Sequence, residues 1–407
     1  MKPGLKVLHV LHTSLPHVCG YSLRSNYILQ IQMEMGIRVA AVTSAQQPPE
    51  ANIQTGDAIT YYRTPRQRLL PSPVREMQLM KALRSVVCDA VIEFRPDIVH
   101  AHSPILVGQP ANSVARQFGI PFVYEVRDLW ENASADRGRF KVNSLPYKVA
   151  RYLETRLLRR SDAVVTIGDT LLAELGTRTH RKIFRVRNGV DAEQFKPIDA
   201  SQEWRKAWNP QGKTTLAYIG SFQPYEGLNV LLHALPQVIR DLPEVQLVIA
   251  GDGPERCQLE TLVDRLQMRQ HVQFAGRVPH ERVHEIYAVA DLLVYPRIDS
   301  LTTRLTTPLK PLEAMAMGKA VVASNLAALR ELIVDGSTGM LFAAGNASDL
   351  AKKIATLLTD QPLRRRLGLA AAESVRLTRT WIAEVSQYRS VYEYASSAKF
   401  GQQESHI

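Results

Sequence analysis

Cysteine is scarce in this chain, with three in 407 residues, Cys19, Cys88 and Cys257, and no CxxC pair. A disulfide framework and a thiolate zinc site are therefore not expected, and a reducing compartment suits this composition. No apolar run reaches the roughly 18–20 residues that a membrane-spanning helix needs. The first residues also lack the pattern of a secretory signal. We expect a cytoplasmic protein.

Acidic residues are in deficit, with 39 Asp and Glu against 50 Lys and Arg, so the formal net charge is +11. Such an excess favours polyanionic partners. Because the cations are scattered, with no zinc-finger spacing and no aromatic RNA-binding signature, nucleic acid is not expected. Two interpretations stay open, a solvated cationic surface or a patch that holds the protein peripherally on the inner face of an anionic membrane.

Two nucleotide-site motifs are also missing. No G-x-G-x-x-G follows the first predicted strand, which disfavours a dehydrogenase. No convincing D-x-D motif precedes a loop, so neither a bound divalent ion nor any other cofactor is expected.

What is present is a regular alternation of short apolar runs and stretches of helical period, the pattern of parallel sheets covered by helices. The length suits two domains. Strands are predicted at 7–11, 39–42, 98–102, 122–126, 163–167, 183–186, 215–219, 246–250, 272–274, 292–295, 320–323 and 340–342. Helices are predicted at 22–35, 147–160, 227–240, 255–266, 280–289, 311–317, 327–334, 348–359 and 381–394. Three polar segments are predicted to be irregular: a loop at 46–73, a linker at 195–211 and a tail at 396–407.

Small and polar residues follow the predicted strands of the second half. Open parallel sheets bind ligands beyond the carboxyl ends of their strands, and helix starts there can present backbone N–H groups to a phosphate. The candidates in these loops are Gly220, Ser221, Gly251, Gly253, Arg277 and Arg297.

Several motifs carry a family resemblance. The sequences RNGVD at 187–191, AGDGP at 250–254, PLEAMAMGK at 311–319 and DGSTG at 335–339 resemble those of the retaining GT-B glycosyltransferases of group 1 (family 4). The resemblance covers nearly the whole second half. It is looser in the first half, where the loop around Gly20 and IVHAHSP at 98–104 carry it. TPLKPLE at 307–313 resembles a subgroup associated with bacterial exopolysaccharide gene clusters.

The resemblance implies an α/β protein of GT-B fold, with two Rossmann-like, doubly wound parallel-sheet domains facing each other across a cleft. Residues 1–195 would bind the acceptor and residues 196–378 the nucleotide sugar. Residues 379–407 would form a terminal helix crossing back to the first domain, plus a polar tail. The implied reaction moves a sugar from a nucleoside diphosphate to a hydroxyl of a glycan or lipid-linked acceptor, with retention, in polysaccharide or glycolipid synthesis. Two alternatives stay open: a nucleotide-sugar epimerase, and a catalytically silent subunit that binds nucleotide or glycolipid.

In the donor domain the resemblance implies that Glu313, the second glutamate of an E-x7-E motif, accepts hydrogen bonds from the ribose, with Leu312 beside it. The alternative is a glutamate that complements the helix dipole. Three departures stand out: Leu305 replaces the first glutamate, and Ser221 and Glu226 stand where the family has cations. Arg297, Arg304 and Lys310 are then expected to neutralise the diphosphate, with Lys310 taking part in catalysis.

In the acceptor domain His102 matches the family's cleft histidine, a candidate for catalysis; the alternative is a buried structural histidine. Gly20 and Tyr21 lie in the loop that opens the first helix and are expected to contact the acceptor; the alternatives are that this loop approaches the donor phosphate or is a plain tight turn. Arg127 is expected to clamp an anionic group and Asp128 to orient the acceptor hydroxyl. An internal Arg–Asp pair is the alternative.

Overall fold

The computed structural model describes residues 4–46, 59–66, 68 and 70–404. Two compact units result, one formed by Met1–Asn188 with Trp381–Ile407 and the other by Gly189–Thr380. Within the described ranges no helix is long and apolar enough to cross a membrane.

The first unit is built on a seven-stranded parallel sheet with the order β3-β2-β1-β4-β5-β6-β7. Its strands are β1 Lys6–Leu11, β2 Arg38–Thr43, β3 Thr60–Arg63, β4 Ile98–His102, β5 Phe122–Val126, β6 Ala163–Thr166 and β7 Ile183–Arg185. Its helices are α1 Gly20–Glu34, α2 Val74–Phe94, α3 Ile105–Gln117, α4 Trp130–Asp136, α5 Leu145–Arg160 and α6 Asp169–Gly176, and near the end of the chain α15 Trp381–Ser386 and α16 Tyr388–Glu404.

The second unit repeats the architecture with six parallel strands in the order β10-β9-β8-β11-β12-β13. Its strands are β8 Thr214–Ile219, β9 Val245–Ala250, β10 Val272–Gly276, β11 Leu292–Tyr295, β12 Ala320–Ser324 and β13 Met340–Phe342. Its helices are α7 Gln202–Trp208, α8 Leu228–Asp241, α9 Arg256–Arg265, α10 Val283–Val289, α11 Lys310–Ala316, α12 Ala327–Arg330, α13 Ala347–Thr359 and α14 Gln361–Thr378.

The central strands are buried on both faces, which explains their continuous apolar runs. Every residue of β4, β5, β9, β11 and β12 is buried. In each sheet the order of the strands reverses beside the first strand of that unit, between β1 and β4 and between β8 and β11. Such a switch point opens a crevice at the carboxyl edge, so this fold directs the search for a site to the loops after these strands.

The structure differs from the sequence-based expectations at three segments. The predicted loop 46–73 contains the edge strand β3, and residues 47–58, 67 and 69 of that segment lie outside the described residues. The predicted linker 195–211 contains α7, and the units divide after Asn188 rather than after 195, because Val190 and Phe195 are buried in the core of the second unit. The predicted polar tail continues as helix to Glu404, and residues 405–407 lie outside the described residues.

Candidate active site

The loops after β8 and β9 approach each other so closely that only glycine fits. A Cβ on Gly251, which has a φ of +134°, would lie 1.8 Å from the carbonyl oxygen of Gly220, and one on Gly253 would lie 2.7 Å from the backbone of Phe222. The N–H groups of Gly220 and Gly251 donate to the carbonyls of Ala250 and Gly276. In this structure these two glycines therefore serve close packing and do not offer their N–H groups to a phosphate.

A buried charge cluster lies over this glycine turn. Lys310, the first residue of α11, places its Nζ 3.1 Å from Oε1 of Glu226, and it donates to the hydroxyl of Tyr218 at 3.0 Å. A Cβ on Gly220 would lie 2.3 Å from that Nζ, so the lysine needs the glycine beneath it. Arg297 reaches the other carboxylate oxygen of Glu226 at 3.8 Å. Two cations thus share one carboxylate.

Burial and charge set the protonation of this cluster. Burial alone would raise the pKa of Glu226, but Lys310 and Arg297 outweigh it and lower that pKa below its ordinary value. Burial lowers the pKa of Lys310, and the attraction of Glu226 offsets part of this effect. Arg297 is 4% exposed, and its Nε has no hydrogen-bond partner. The cluster carries one net positive charge.

Glu313 lies one helical turn along α11 from Lys310, half-buried, and its Oε2 accepts a hydrogen bond from Tyr287 at 2.8 Å. Burial raises the pKa of this carboxyl, while His280, Tyr287 and Lys310 lower it in part. The side chain of Leu312 is 1% exposed and belongs to the core. Lys310 and Glu313 are thus neighbours on α11 with different partners, Glu226 and Tyr218 for the lysine and Tyr287 for the glutamate.

The other expected donor-binding residues lie at the surface of the second unit. Arg277 has an 84% exposed side chain and pairs with Asp252 at 3.2 Å. The half-exposed Arg304 forms an ion pair with Asp299. Ser221 is exposed. The structure therefore brings Lys310 and Arg297 together and leaves Arg277 and Arg304 paired with surface aspartates.

In the first unit the structure places His102 in a stack of three buried histidines. His9 on β1 and His100 on β4 are register partners, and His102 follows His100 on the same face. The ring centroids of His100 and His102 lie 4.2 Å apart, and all three residues are fully buried.

The protons of this stack can be assigned from one end. Arg127 Nη2 lies 2.7 Å from Nδ1 of His102, and a guanidinium can only donate, so His102 accepts there and carries its proton on Nε2. His102 then donates to Nδ1 of His9 at 3.0 Å. His9 in turn donates from Nε2 to the Oε1 of Gln32 at 2.9 Å.

The same chain of hydrogen bonds continues into α16. Gln32 donates to the hydroxyl of Tyr392 at 2.8 Å, and Tyr392 donates to Nδ1 of His100 at 2.9 Å. The remaining His100 proton, on Nε2, faces Glu125 at 3.5 Å. All three histidines are thus neutral, in agreement with a pKa that burial lowers for each of them.

Glu125 closes this network with a carboxylate that two arginines share. Arg24 and Arg127 donate to its Oε1 at 2.9 and 2.8 Å, and Tyr388 donates to its Oε2. Burial would raise the pKa of Glu125, but the two arginines hold it well below the usual value. Arg127 also donates to the backbone carbonyl of Tyr21. Glu125 is therefore an internal ion-pair partner of Arg127, and the guanidinium donates to groups of the same unit.

The three histidines bring their ligand atoms within 4.8 Å of one another, the one such group among the described His, Cys, Asp and Glu residues. Metal binding needs free nitrogen lone pairs. Here each lone pair accepts a hydrogen bond: His102 accepts from Arg127, His9 from His102, and His100 from Tyr392. The guanidinium of Arg127 also adds a positive charge beside the group. The arrangement suits a hydrogen-bonded core and does not suit a divalent cation.

The polar groups at the carboxyl edge of this sheet are different residues. Asp128, after β5, is half-buried, accepts from the hydroxyl of Ser103 at 3.3 Å and has a pKa that burial raises. His12, after β1, has its pKa lowered to about 4 by burial and then by Arg137. Its backbone N–H donates to the hydroxyl of Tyr21 at 3.1 Å. Gly20 is exposed at the start of α1.

Sequence reasoning missed two of these contributions. It noted Glu226 only as a departure, whereas the structure makes it the anchor of Lys310. It did not single out His12, although a histidine directly after the first strand of a parallel sheet was a readable signal.

Known proteins resemble the chain along its whole length. Residues 20–189 match the family described as Glycosyl transferase 4-like domain, and residues 200–374 match Glycosyl transferases group 1. Sulfoquinovosyl transferase SQD2 of Arabidopsis thaliana is 28% identical over 96% of this chain and 73% of its own length. The GDP-mannose-dependent alpha-mannosyltransferase of Mycolicibacterium smegmatis is 25% identical over 96% of this chain and 97% of its own. The structure of sucrose-phosphate synthase from Thermosynechococcus elongatus has a TM-score of 0.79 at 19% identity, covering 97% of this chain and 100% of that one.

Two Rossmann-like units with these strand orders, together with the likeness to sucrose-phosphate synthase, define the fold as GT-B. The chain belongs to the group 1 glycosyltransferases of family 4, and it is a nucleotide-sugar-dependent glycosyltransferase of the retaining class.

Proposed function

We propose that the second unit, Gly189–Thr380, binds the nucleotide sugar, and that the first unit, Met1–Asn188 with Trp381–Ile407, binds the acceptor. The acceptor is a glycan or a lipid-linked glycan, and the reaction belongs to polysaccharide or glycolipid synthesis. The TPLKPLE motif at 307–313 supports a place in bacterial exopolysaccharide synthesis. The net charge of +11 supports work at the inner, anionic face of a membrane.

The observation that carries the donor site is the cluster of Lys310, Arg297 and Glu226. A sugar diphosphate brings about two negative charges, which a site of low dielectric cannot hold uncompensated. Lys310 is held at the carboxyl edge by Glu226 and Tyr218, so its charge is ordered before the donor arrives. Preorganised charge of this kind favours binding because no side-chain ordering is needed on contact.

The proposed roles of the charged residues follow from the negative charge that develops on the departing diphosphate. In transfer with retention the departing diphosphate gains negative charge and takes the proton of the incoming hydroxyl. Lys310 and Arg297 stabilise that charge by fixed electrostatics. Glu313, ionised, accepts hydrogen bonds from the ribose hydroxyls through the carboxylate that Tyr287 orients. Two protein cations supply the compensation, so the reaction needs no metal ion.

At the acceptor Asp128 orients the incoming hydroxyl, with Gly20 and Tyr21 beside it. Asp128 is supported by its place after β5, its partial exposure and its raised pKa. His102 and Arg127 act from inside the unit: Arg127 sets the direction of the buried hydrogen bonds through His102, and it also holds the backbone of Tyr21.

A screen of UDP-, GDP-, TDP- and ADP-sugars by thermal shift identifies the donor, because a ligand that binds only the folded state raises its melting temperature. With that donor, Lys310→Ala is expected to lose far more turnover than Leu305→Ala. Near-normal turnover in Lys310→Ala would remove the cluster from the donor site. Absence of any shift across the panel would refute nucleotide-sugar binding by this chain.

A further inference from the structure

The outward face of α5 is apolar where a surface helix is normally polar. Four side chains on it are largely in solvent: Leu145 at 75%, Val149 at 46%, Tyr152 at 64% and Leu153 at 40% exposure. Their spacing of i, i+4, i+7 and i+8 places them on one stripe about 12 Å long. The opposite face of α5 is buried in the unit in the ordinary way. The helix is therefore apolar on both faces.

The chain around this stripe is strongly cationic. Between 137 and 160 it has eight basic residues, Arg137, Arg139, Lys141, Lys148, Arg151, Arg156, Arg159 and Arg160. The single acidic residue in that span, Glu154, is buried, and burial, followed by the nearby Glu131, raises its pKa to about 8. It carries little negative charge at neutral pH. Lys141, Lys148 and Arg156 are exposed.

The preceding basic loop is fixed to the helix. Phe140 packs edge-on against Trp130 of α4 at 6.1 Å and against Tyr147 of α5 at 6.4 Å. The hydroxyl of Tyr147 donates to Asn132 of α4. The loop cations and the apolar stripe therefore belong to one packed surface.

This surface begins at the carboxyl edge of the first sheet. The connection from β5 runs through Asp128 and α4 into α5, so the start of α5, where Leu145 lies, is at the edge that carries Asp128 and Gly20. The end of α5, with Arg156 and Arg159, points toward the opposite edge.

We propose that the outward face of α5 with the loop 137–144 is the surface by which this protein docks on an anionic lipid bilayer. A contiguous exposed apolar stripe marks an interaction site. Apolar side chains flanked by cations match both the acyl region and the headgroup region of such a membrane. The apolar stripe enters the acyl boundary, and the cations contact the anionic headgroups. Nucleic acid would satisfy the cations and leave Leu145, Val149 and Tyr152 in water. Docking here would bring the acceptor edge to a lipid-linked acceptor; this last point rests on the proposed function, whereas docking does not.

Flotation of the full chain with vesicles tests the proposal. Vesicles of equal parts phosphatidylglycerol and phosphatidylcholine are expected to bind the protein, and pure phosphatidylcholine vesicles to bind it much less. Leu145→Glu/Tyr152→Glu and Lys148→Glu/Arg156→Glu should each weaken binding on the order of tenfold or more. The matched control is Ile92→Glu on α2, which is also exposed, at 59%, but lies beside the exposed Asp89 and Glu93; it should bind like the wild type.

All variants must keep the wild-type melting temperature and donor-induced thermal shift, which separates docking from folding and from the donor site. The proposal would be overturned if the wild type did not bind anionic vesicles, or if the α5 variants bound them as strongly as the wild type. Binding of a duplex oligonucleotide in place of vesicles would also overturn it. Self-association that Tyr152→Glu abolishes, measured by sedimentation, would instead assign the face to a second copy.

Discussion

The contact between Lys310 and Glu226 predicts different outcomes for stability and for donor binding, which a double-mutant cycle separates. Lys310→Ala leaves the buried carboxylate of Glu226, 5% exposed, with Arg297 at 3.8 Å as its remaining ion-pair partner. Breaking a charge-assisted contact of this kind costs about 1.5–3 kcal/mol. Because the lysine side chain is 21% exposed, we expect the lower end of that range for the free energy of unfolding.

The effect of Lys310→Ala on donor affinity is separate from its effect on stability. If Lys310 contacts the diphosphate, its loss removes a charge-assisted bond and weakens nucleotide binding by about 1.5–3 kcal/mol, or roughly 10- to 150-fold. Adding Glu226→Gln to Lys310→Ala removes the carboxylate that has lost its nearer partner, but it leaves the buried Arg297 without a carboxylate. The double variant should therefore recover at most part of the lost stability, and it should not recover the contact between Lys310 and the donor. Glu226→Gln alone leaves two adjacent cations, so it should be destabilised without donor and stabilised more than wild type when donor binds.

Urea unfolding and calorimetric titration with the cognate nucleotide give the two quantities. Lys196→Ala is the matched control, since Lys196 pairs with Glu193 at 3.4 Å with both side chains mostly in solvent. It should change both quantities by less than about 1 kcal/mol. If the double variant binds nucleotide as tightly as the wild type, Lys310 does not contact the diphosphate and the reasoning fails.

Three further predictions concern Glu313, the need for a metal ion, and His12. Glu313→Gln should weaken donor binding by about 1.5–3 kcal/mol without lowering the melting temperature, because it loses a charged acceptor; wild-type affinity by calorimetry would end its ribose role. Transfer activity should survive EDTA, since protein cations compensate the diphosphate; abolition by EDTA with rescue by Mg²⁺ or Mn²⁺ would reveal a missed carboxylate site. Burial lowers the pKa of His12 in the folded protein to about 4 from its ordinary value of 6.5, so the unfolded chain takes up the proton first and stability is lost as the pH falls from 6.5 to 4. Between pH 7 and 4 the free energy of unfolding of His12→Gln should fall by up to about 3 kcal/mol less than that of the wild type. Equal falls for the two proteins in urea unfolding would contradict this assignment.

Most of the fold could be read from the sequence because its signals are local. The predicted strand 98–102 coincides with β4 and 292–295 with β11, since buried parallel strands are short apolar runs bounded by polar turns. The edge strand β3 was missed because Thr60–Arg63 is only partly buried and carries no such run. The polar composition of 195–211 hid α7, whose helix starts at a serine cap and buries no residue.

The site could be read only in part, because its decisive contacts join residues far apart in the chain. The motifs identified Glu313 and Lys310, but no pattern in the sequence shows that Lys310 reaches back to Glu226. The same holds for His102: the family resemblance suggested a histidine in the cleft, with a buried structural histidine as the alternative. Its burial follows from His9 on the neighbouring strand and Arg127, which no local signal couples to it.

The departures from the family are easier to understand as one exchange than as separate losses. A glutamate stands at 226 where the family has a cation, and a lysine enters from α11 to meet it, so a positive charge again lies at the end of β8. Glycine at 220 is what admits that lysine, since any Cβ would collide with its Nζ and Cε. Glu226 in turn is held below its ordinary pKa and stays ionised, which keeps Lys310 in place. The charge balance of the site therefore depends on the pair. In a chain with Glu226 but without Lys310, the charges of Glu226 and Arg297 would cancel, and the cluster would offer no net positive charge to the diphosphate.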